Sequence, residues 1–283
     1  MPPPSRPCGY GSAVALRCVY TDLDGTLLGR GGSLFRDSGG AFSLLQARGL
    51  EACHRAEIEV VIKSGRREPQ VMEDARVMGQ RSYIFEAGCA MRIDGELTVF
   101  PGEMEADGEV TIAEQIYRAG VPELLFAAYP DRIEHHSPWH HDRVYSHLFR
   151  GLVEVEEANV LLADEGHGHL RLLDNGAIGR PMGELGTAHA YHLVPRGASK
   201  AGAVGAHMRA RGYAPGECIA IGDSIEDLAV ADVVGRFFVP ANGPERDPGL
   251  PAAIAGRPNV TITEGRMGEC FYEAVVASLM GGG

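Results

Sequence analysis

Short apolar runs that stop at small polar or acidic residues recur along this chain. Residues 16–21 read LRCVYT and stop at Asp22. Residues 58–62 read IEVVI and stop at Ser64-Gly65, and residues 83–85 stop at Glu86-Ala87-Gly88. Uninterrupted runs of this length between turn residues fit strands buried on both faces. Between them the period lengthens. Residues 43–55 are rich in helix formers, and residues 68–78 set Val71, Met72, Ala75 and Met78 on one helical face. Strands alternating with helices predict right-handed βαβ units around a parallel sheet.

After about Met91 the rhythm changes. Residues 97–100, 124–129, 160–162 and 169–173 read as short β pieces, and 110–119 and 143–152 as helices. From His192 the first rhythm returns. Ser199 is an N-cap for a helix through Val204 and Met208 that Gly212 ends. Residues 218–221 (CIAI) form a strand, followed by a helix through Asp227 and Val230, strands at 237–239 and 260–262, and a last helix at 270–279. The expected fold is α/β: a Rossmann-like, parallel-sheet core from residues 14–95 and 189–283, with an inserted α+β domain at 96–188. The Pro- and Gly-rich residues 1–13 are expected to be a disordered lead-in.

Charge narrows the partners. Thirty-eight acidic against 26 basic residues give a formal net charge of -12, which argues against a broad nucleic-acid footprint. A small anionic substrate in a local positive pocket remains open. No apolar run reaches the ~18–20 residues of a membrane span. Six scattered cysteines without a C-x-x-C pair suit a reduced, cytoplasmic protein and small apolar packing roles. Nothing in the sequence indicates an oligomeric state.

Four chemical features stand at the carboxyl ends of expected parallel strands, the edge where open α/β sheets bind ligands. They are Asp22-Leu23-Asp24-Gly25-Thr26-Leu27, Ser64-Gly65-Arg66, Lys200 within GASKAGAV, and Gly222-Asp223-Ser224-Ile225-Glu226-Asp227. Each alone reads as a turn or a helix cap. Together and in this order they resemble the motifs of the haloacid dehalogenase superfamily, over about residues 14–95 and 190–280. The resemblance implies an Mg²⁺-dependent phosphatase. Asp22 would be the nucleophile that forms an aspartyl-phosphate, and Asp24 the general acid and base. Leu23, Ser64, Gly65 and Lys200 would hold the phosphate. Asp22, the Asp24 carbonyl and Asp223 would hold the metal, with Asp227 in support. The second Asp suits phosphate-ester chemistry, since dehalogenases in the superfamily lack it and P-type ATPases carry Thr there.

The insertion point refines the resemblance. The 40 positions from Asp24 to Ser64 leave no room for a large cap, whereas 136 separate Ser64 from Lys200. This is similar to members with an α+β type II cap, such as mannosyl-3-phosphoglycerate phosphatase and sucrose-phosphate phosphatase. It implies a small phosphorylated metabolite as partner, a phosphosugar or a glycosyl-phosphoglycerate. A phosphosugar mutase and a non-catalytic phosphometabolite-binding protein are the alternatives. Two positions depart from that group: Ala87 where Asn is common, and Glu226 where Asn is common, the latter expected to point away as a surface residue. In the cap, His135, His136, His140, His141 and His147 crowd one stretch, followed by His167 and His169. They fit a solvated loop, a polar lid over substrate or, least well by spacing, a zinc site. Arg66, His141, Arg143 and Arg171 are the expected contacts to the rest of the substrate.

Overall fold

The computed structural model describes residues 15–105, 108–183 and 186–281; the expected lead-in at 1–13 lies outside them. An eight-stranded sheet organises the core. Its strands are β1 (Cys18–Thr21), β2 (Glu59–Lys63), β3 (Tyr83–Phe85), β4 (Ala90–Ile93), β5 (Glu96–Val99), then, after the cap, β10 (Cys218–Ile221), β11 (Arg236–Val239) and β12 (Val260–Ile262). They run in the order β12-β11-β10-β1-β2-β3-β4-β5. Pairing is parallel from β12 to β3, and β4 and β5 add an antiparallel edge. β1 is buried along its whole length because both faces are covered. On one face, Val19, Val60 and Ile62 pack with Leu50 of α1 (Leu45–Arg55), Val71 of α2 (Glu68–Val77) and Phe271 of α10 (Gly268–Leu279). On the other, Tyr20, Val61 and Ala220 pack with Val204 and Met208 of α6 (Lys200–Arg211).

The cap is a four-stranded antiparallel sheet in the order β6-β7-β9-β8, from β6 (Ile133–His135), β7 (His147–Gly151), β8 (Leu170–Pro181) and β9 (Thr187–Pro195). Its helices are α3 (Ile112–Arg118), α4 (Val121–Ala128) and α5 (Val155–Asp164). Strand alternation divides its side chains. Phe149, Tyr191 and Leu193 enter an apolar cluster with Ile116, Leu125 and Leu162 of the helices. The intervening Leu148, Ala190 and His192 face the core instead, across a cavity. The two chain segments joining cap to core cross at glycines: a Cβ on Gly197 would lie 2.9 Å from the Gly102 Cα, and one on Gly102 would lie 3.1 Å from the Gly197 nitrogen.

Several expectations fail in the cap. Residues 124–129 lie largely in helix α4 and 160–162 in helix α5, not in strands, while 143–152 contain strand β7 rather than a helix. The sheets also divide the chain differently from the expected boundaries of 96 and 188. β5 belongs to the core sheet, and β9 stays in the cap sheet through Pro195.

Candidate active site

Register brings the four motifs together. Thr21 at the end of β1 pairs with Ile221 of β10 and Ile62 of β2, so Asp22, Lys63 and Gly222 leave the sheet side by side. Lys200 opens α6, whose start is fixed by the Ser199 hydroxyl accepting from the Gly202 amide and whose end is the left-handed Gly212. Gly88, at φ +85°, packs directly on this helix start. A Cβ there would lie 2.2 Å from the Ser199 carbonyl carbon, so the position admits only glycine.

Carboxylate oxygens of Asp22, Asp223 and Asp227, all buried, lie within 4.8 Å of one another. Burial pushes Asp22 up to about 7 against the pull of the Lys200 ammonium, and Asp223 up to about 6 against that of Arg246. Asp227 goes the other way. Burial opposes its charge, but Lys200 and Lys63 hold its carboxyl well below the usual range. It accepts from Lys63 Nζ, from Lys200 Nζ at 3.0 Å and from the Ser224 hydroxyl at 2.7 Å. Burial would likewise depress Lys200, yet Asp22, Asp227 and Glu226 keep its ammonium firmly charged. Lys200 Nζ lies 3.3 Å from Asp22 Oδ1 and 3.0 Å from Glu226 Oε2. Glu226 is therefore no surface residue. It is one more carboxylate on Lys200.

An all-oxygen set gathered at the cost of raised carboxyl pKa values fits a hard divalent cation such as Mg²⁺. Asp22 and Asp223 are the carboxylates with capacity to hold it, because the lysines and Ser224 already engage Asp227. Arg246, from the short helix α8 (Gly243–Arg246), pairs with Asp223 and also donates to the Ala177 carbonyl of the cap at 2.6 Å.

Asp24 has a half-exposed carboxylate. Arg66 forks onto it at 2.7 and 2.6 Å and reaches Asp74 at 2.8 Å. Arg66 does line the cavity, but its guanidinium is engaged by these acids rather than free for substrate. Ser64 is buried at the same wall. A Cβ on Gly65 would lie 2.6 Å from His192 Nε2, so glycine is required there by a close approach. Leu23 turns its side chain into the core and offers the site only its main chain.

The cavity between core and cap measures about 490 Å³ and is lined by Asp22, Asp24 and Ser64 below and by His136, Trp139 and His192 above. Arg143 lines it too, but is buried and donates to the Gly65 carbonyl at 2.6 Å and to the Ser146 hydroxyl at 3.1 Å. It ties the cap to the Ser64-Gly65 turn. His141 and Arg171, expected at the substrate, do not line the cavity. His141 is exposed and lies tilted against the His140 ring, and Arg171 donates to the Ala198 carbonyl at 2.5 Å. Among the described residues, no three of the cap histidines form a metal-holding group.

Four residues at the site escaped the sequence reading. Lys63 is a lone lysine at a strand end, and Arg246 lies 23 positions after Asp223. Asn175 reaches Lys200 Nζ at 3.5 Å from an irregular stretch of β8, so the amide present at the site comes from the cap rather than from position 87. Glu86 is buried and accepts from the Val144 and Tyr145 amides at 3.0 Å each and from the Ser146 hydroxyl at 2.7 Å. Its signal was the Glu-x-Gly triplet after β3, and its work is to latch the cap.

No family model matches the chain. A phosphoglycolate phosphatase of Methanoculleus marisnigri is 24% identical over 92% of this chain and 95% of its own, and one of Halorubrum lacusprofundi is 28% identical over 78% and 82%. A solved Thermoplasma acidophilum protein superposes with a TM-score of 0.64 at 18% identity, over 93% of this chain and 98% of its own. The sucrose-phosphatase of Synechocystis, solved with sucrose and phosphate, reaches 0.61 at 13% identity over the same shares. A haloacid dehalogenase-like hydrolase from Bacteroides thetaiotaomicron reaches 0.58 at 17% identity, over 92% and 98%. With these likenesses, and with its four motifs gathered on one sheet edge under an inserted α+β cap, the chain has the fold of the haloacid dehalogenase-like hydrolases.

Proposed function

We propose that the chain is an Mg²⁺-dependent phosphatase that hydrolyses a phosphomonoester of a small metabolite, most suitably a phosphosugar or glycosyl-phosphoglycerate. The observation that carries this reading is Asp22, buried on the cavity floor between Lys200 and Asp223. An Asp22 oxygen attacks phosphorus in line, breaking the P–O bond to the leaving alcohol and forming an aspartyl-phosphate. Asp24 gives the leaving oxygen its proton, then takes one from the water that cleaves the acyl phosphate. Arg66 engages both Asp24 oxygens, so that fork must loosen for Asp24 to reach the leaving oxygen as substrate enters. Ser64 and the Gly65 amide hold phosphate oxygens, and Lys200 balances the charge of nucleophile and phosphoryl group. An Mg²⁺ held by Asp22, Asp223 and the Asp24 carbonyl would neutralise the phosphate facing these carboxylates. The cap excludes bulk water.

A sugar-sized leaving group is supported by the cavity volume and by Trp139 beside His136 on its roof, an apolar face with polar neighbours. The likeness to two phosphoglycolate phosphatases favours a second reading, phosphoglycolate. Phosphate release with Mg²⁺ from phosphosugars, glycosyl-phosphoglycerates, phosphoglycolate and p-nitrophenyl phosphate tests both. A kcat/KM for phosphosugars at least tenfold above that for phosphoglycolate is expected; the reverse order selects the second reading. No release from any of them refutes the phosphatase.

A further inference from the structure

A second cluster of ligating side chains lies at the opposite end of the same strands. Cys18, Glu59 and Cys218 are the first residues of β1, β2 and β10, and the parallel registers set Cys18 beside both others. His207 of α6 covers them. The Cys18 sulfur, a Glu59 oxygen and a His207 nitrogen lie within 4.8 Å of one another, and Cys218 stands beside Cys18 in the parallel register. From Cys18 to Asp22 is four strand residues, about 13 Å, so this cluster is separate from the active site.

The histidine points to a ligand. His207 is fully buried, and its Nδ1 pairs with the Tyr20 hydroxyl at 2.8 Å. Its Nε2, equally buried, makes no hydrogen bond and faces Glu59 Oε1 at 3.5 Å. A ring nitrogen held by a neighbour on one side and bare on the other, aimed at a carboxylate and a thiol, is the arrangement of a metal-ligating imidazole. Glu59 is ready for it: Ser82 and Arg211 donate to Oε1 at 2.7 and 3.0 Å, and Tyr213 donates to Oε2 at 2.9 Å. Burial opposes its charge, yet His207 and these donors hold its carboxyl down at about 2.

We propose that Cys18, Glu59 and His207 bind a zinc ion, with Cys218 completing a four-ligand structural site. Sulfur and imidazole select a borderline-soft ion over Mg²⁺, which belongs at the all-oxygen cluster. The charges close: Zn²⁺ is neutralised by two thiolates, and Arg211 already neutralises Glu59. Binding therefore expels the two thiol protons, and affinity rises with pH. Burial keeps the Cys18 thiol protonated while the metal is absent. The ion would clamp three strands and α6 at the end of the sheet opposite Asp22.

The test uses the full chain, stripped with chelator and re-equilibrated with Zn²⁺ under excess Mg²⁺. Elemental analysis is expected to find one tightly held zinc per chain in the wild type and in Asp223→Asn, and none in Cys18→Ser. Co²⁺ loading is expected to give a thiolate-to-cobalt charge-transfer band that Cys18→Ser lacks, while Mg²⁺-dependent turnover of Cys18→Ser is unchanged. Should that variant fail to fold, the cobalt band of the wild type decides alone. Substoichiometric zinc, absence of the band, or zinc that Asp223→Asn loses and Cys18→Ser keeps would overturn the site.

Discussion

Lys63→Met removes a charge from the interior of the site while keeping most of the side-chain volume. Around the cavity floor, Asp22, Asp223, Glu226 and Asp227 face Lys63, Lys200 and Arg246. The substitution turns a net charge of -1 into -2 on the floor of the cavity. Asp227 keeps Lys200 at 3.0 Å and Ser224 at 2.7 Å, so it is weakened rather than orphaned. Breaking a buried pair outright costs ~3–5 kcal/mol, and losing one charge-assisted hydrogen bond costs ~1.5–3 kcal/mol. With two of three partners left, the expected loss is about 3 kcal/mol. It is measured by urea denaturation in Mg²⁺-free buffer, and adding Asp227→Asn to the variant should restore part of it. Lys63 also pulls the Asp22 carboxyl down, so the acid limb of the pH–rate profile should move upward in Lys63→Met. A loss below ~1 kcal/mol together with an unmoved limb would mean that Lys63 does not balance the cluster.

Asp22→Asn should lower turnover by at least ~10³-fold with the fold retained; near-normal phosphate release would remove Asp22 as nucleophile. The same variant isolates a pH effect, read by urea midpoints in EDTA. Folded Asp22 is raised to about 7, so between pH ~4 and ~7 the folded wild type binds more protons than the unfolded chain and loses stability as pH rises. Asn cannot charge, so the variant should gain on the wild type across that window, by up to ~4 kcal/mol; a gap that narrows would contradict the burial argument. Stripping Mg²⁺ with EDTA should stop activity and Mg²⁺ should restore it, whereas a metal-free protein at full rate would exclude the cation. Trp139→Ala should raise KM for the sugar substrate more than for p-nitrophenyl phosphate, while Lys200→Ala damages both alike; equal losses in the Trp139 variant would place specificity elsewhere.

The core was legible because its strands are continuous apolar runs that end on the residues of the site. β3 and β12 fall in the expected places, and Ser199 and Gly212 cap α6 as their chemistry predicts. The cap was misread where apolar residues lack a period. α4 is buried at Val121, Pro122 and Leu125 and reads as a strand from 124 onward; its signals were Gly120 at φ +72° and Pro122 in the first turn. α5 carries Glu156 and Glu157 in its first turn, which a strand would not need. Lys63, Asn175 and Arg246 were illegible for another reason. Each acts only through contacts made across the sheet edge or from the cap, and no local pattern records those. Arg143 was noticed as a substrate ligand, but sequence could not show that the Gly65 carbonyl already holds it.

The crossing of Gly102 over Gly197 bears on how such a protein can be remodelled. The chain leaves the core and returns to it at one point, with no side chain between the two passages. Everything threaded between them is topologically a side loop whose ends already touch. Lengthening, shortening or exchanging it therefore changes the closure entropy only slowly with length, and asks no strand of the core to move. Core and cap can then vary separately: a different segment grafted between positions 102 and 197 should meet an intact sheet edge with Asp22, Lys200 and Asp223 in place. The grafted segment must still give Glu86 a pair of amides to hold, because a lid joined at one crossing needs a second anchorage to be aimed.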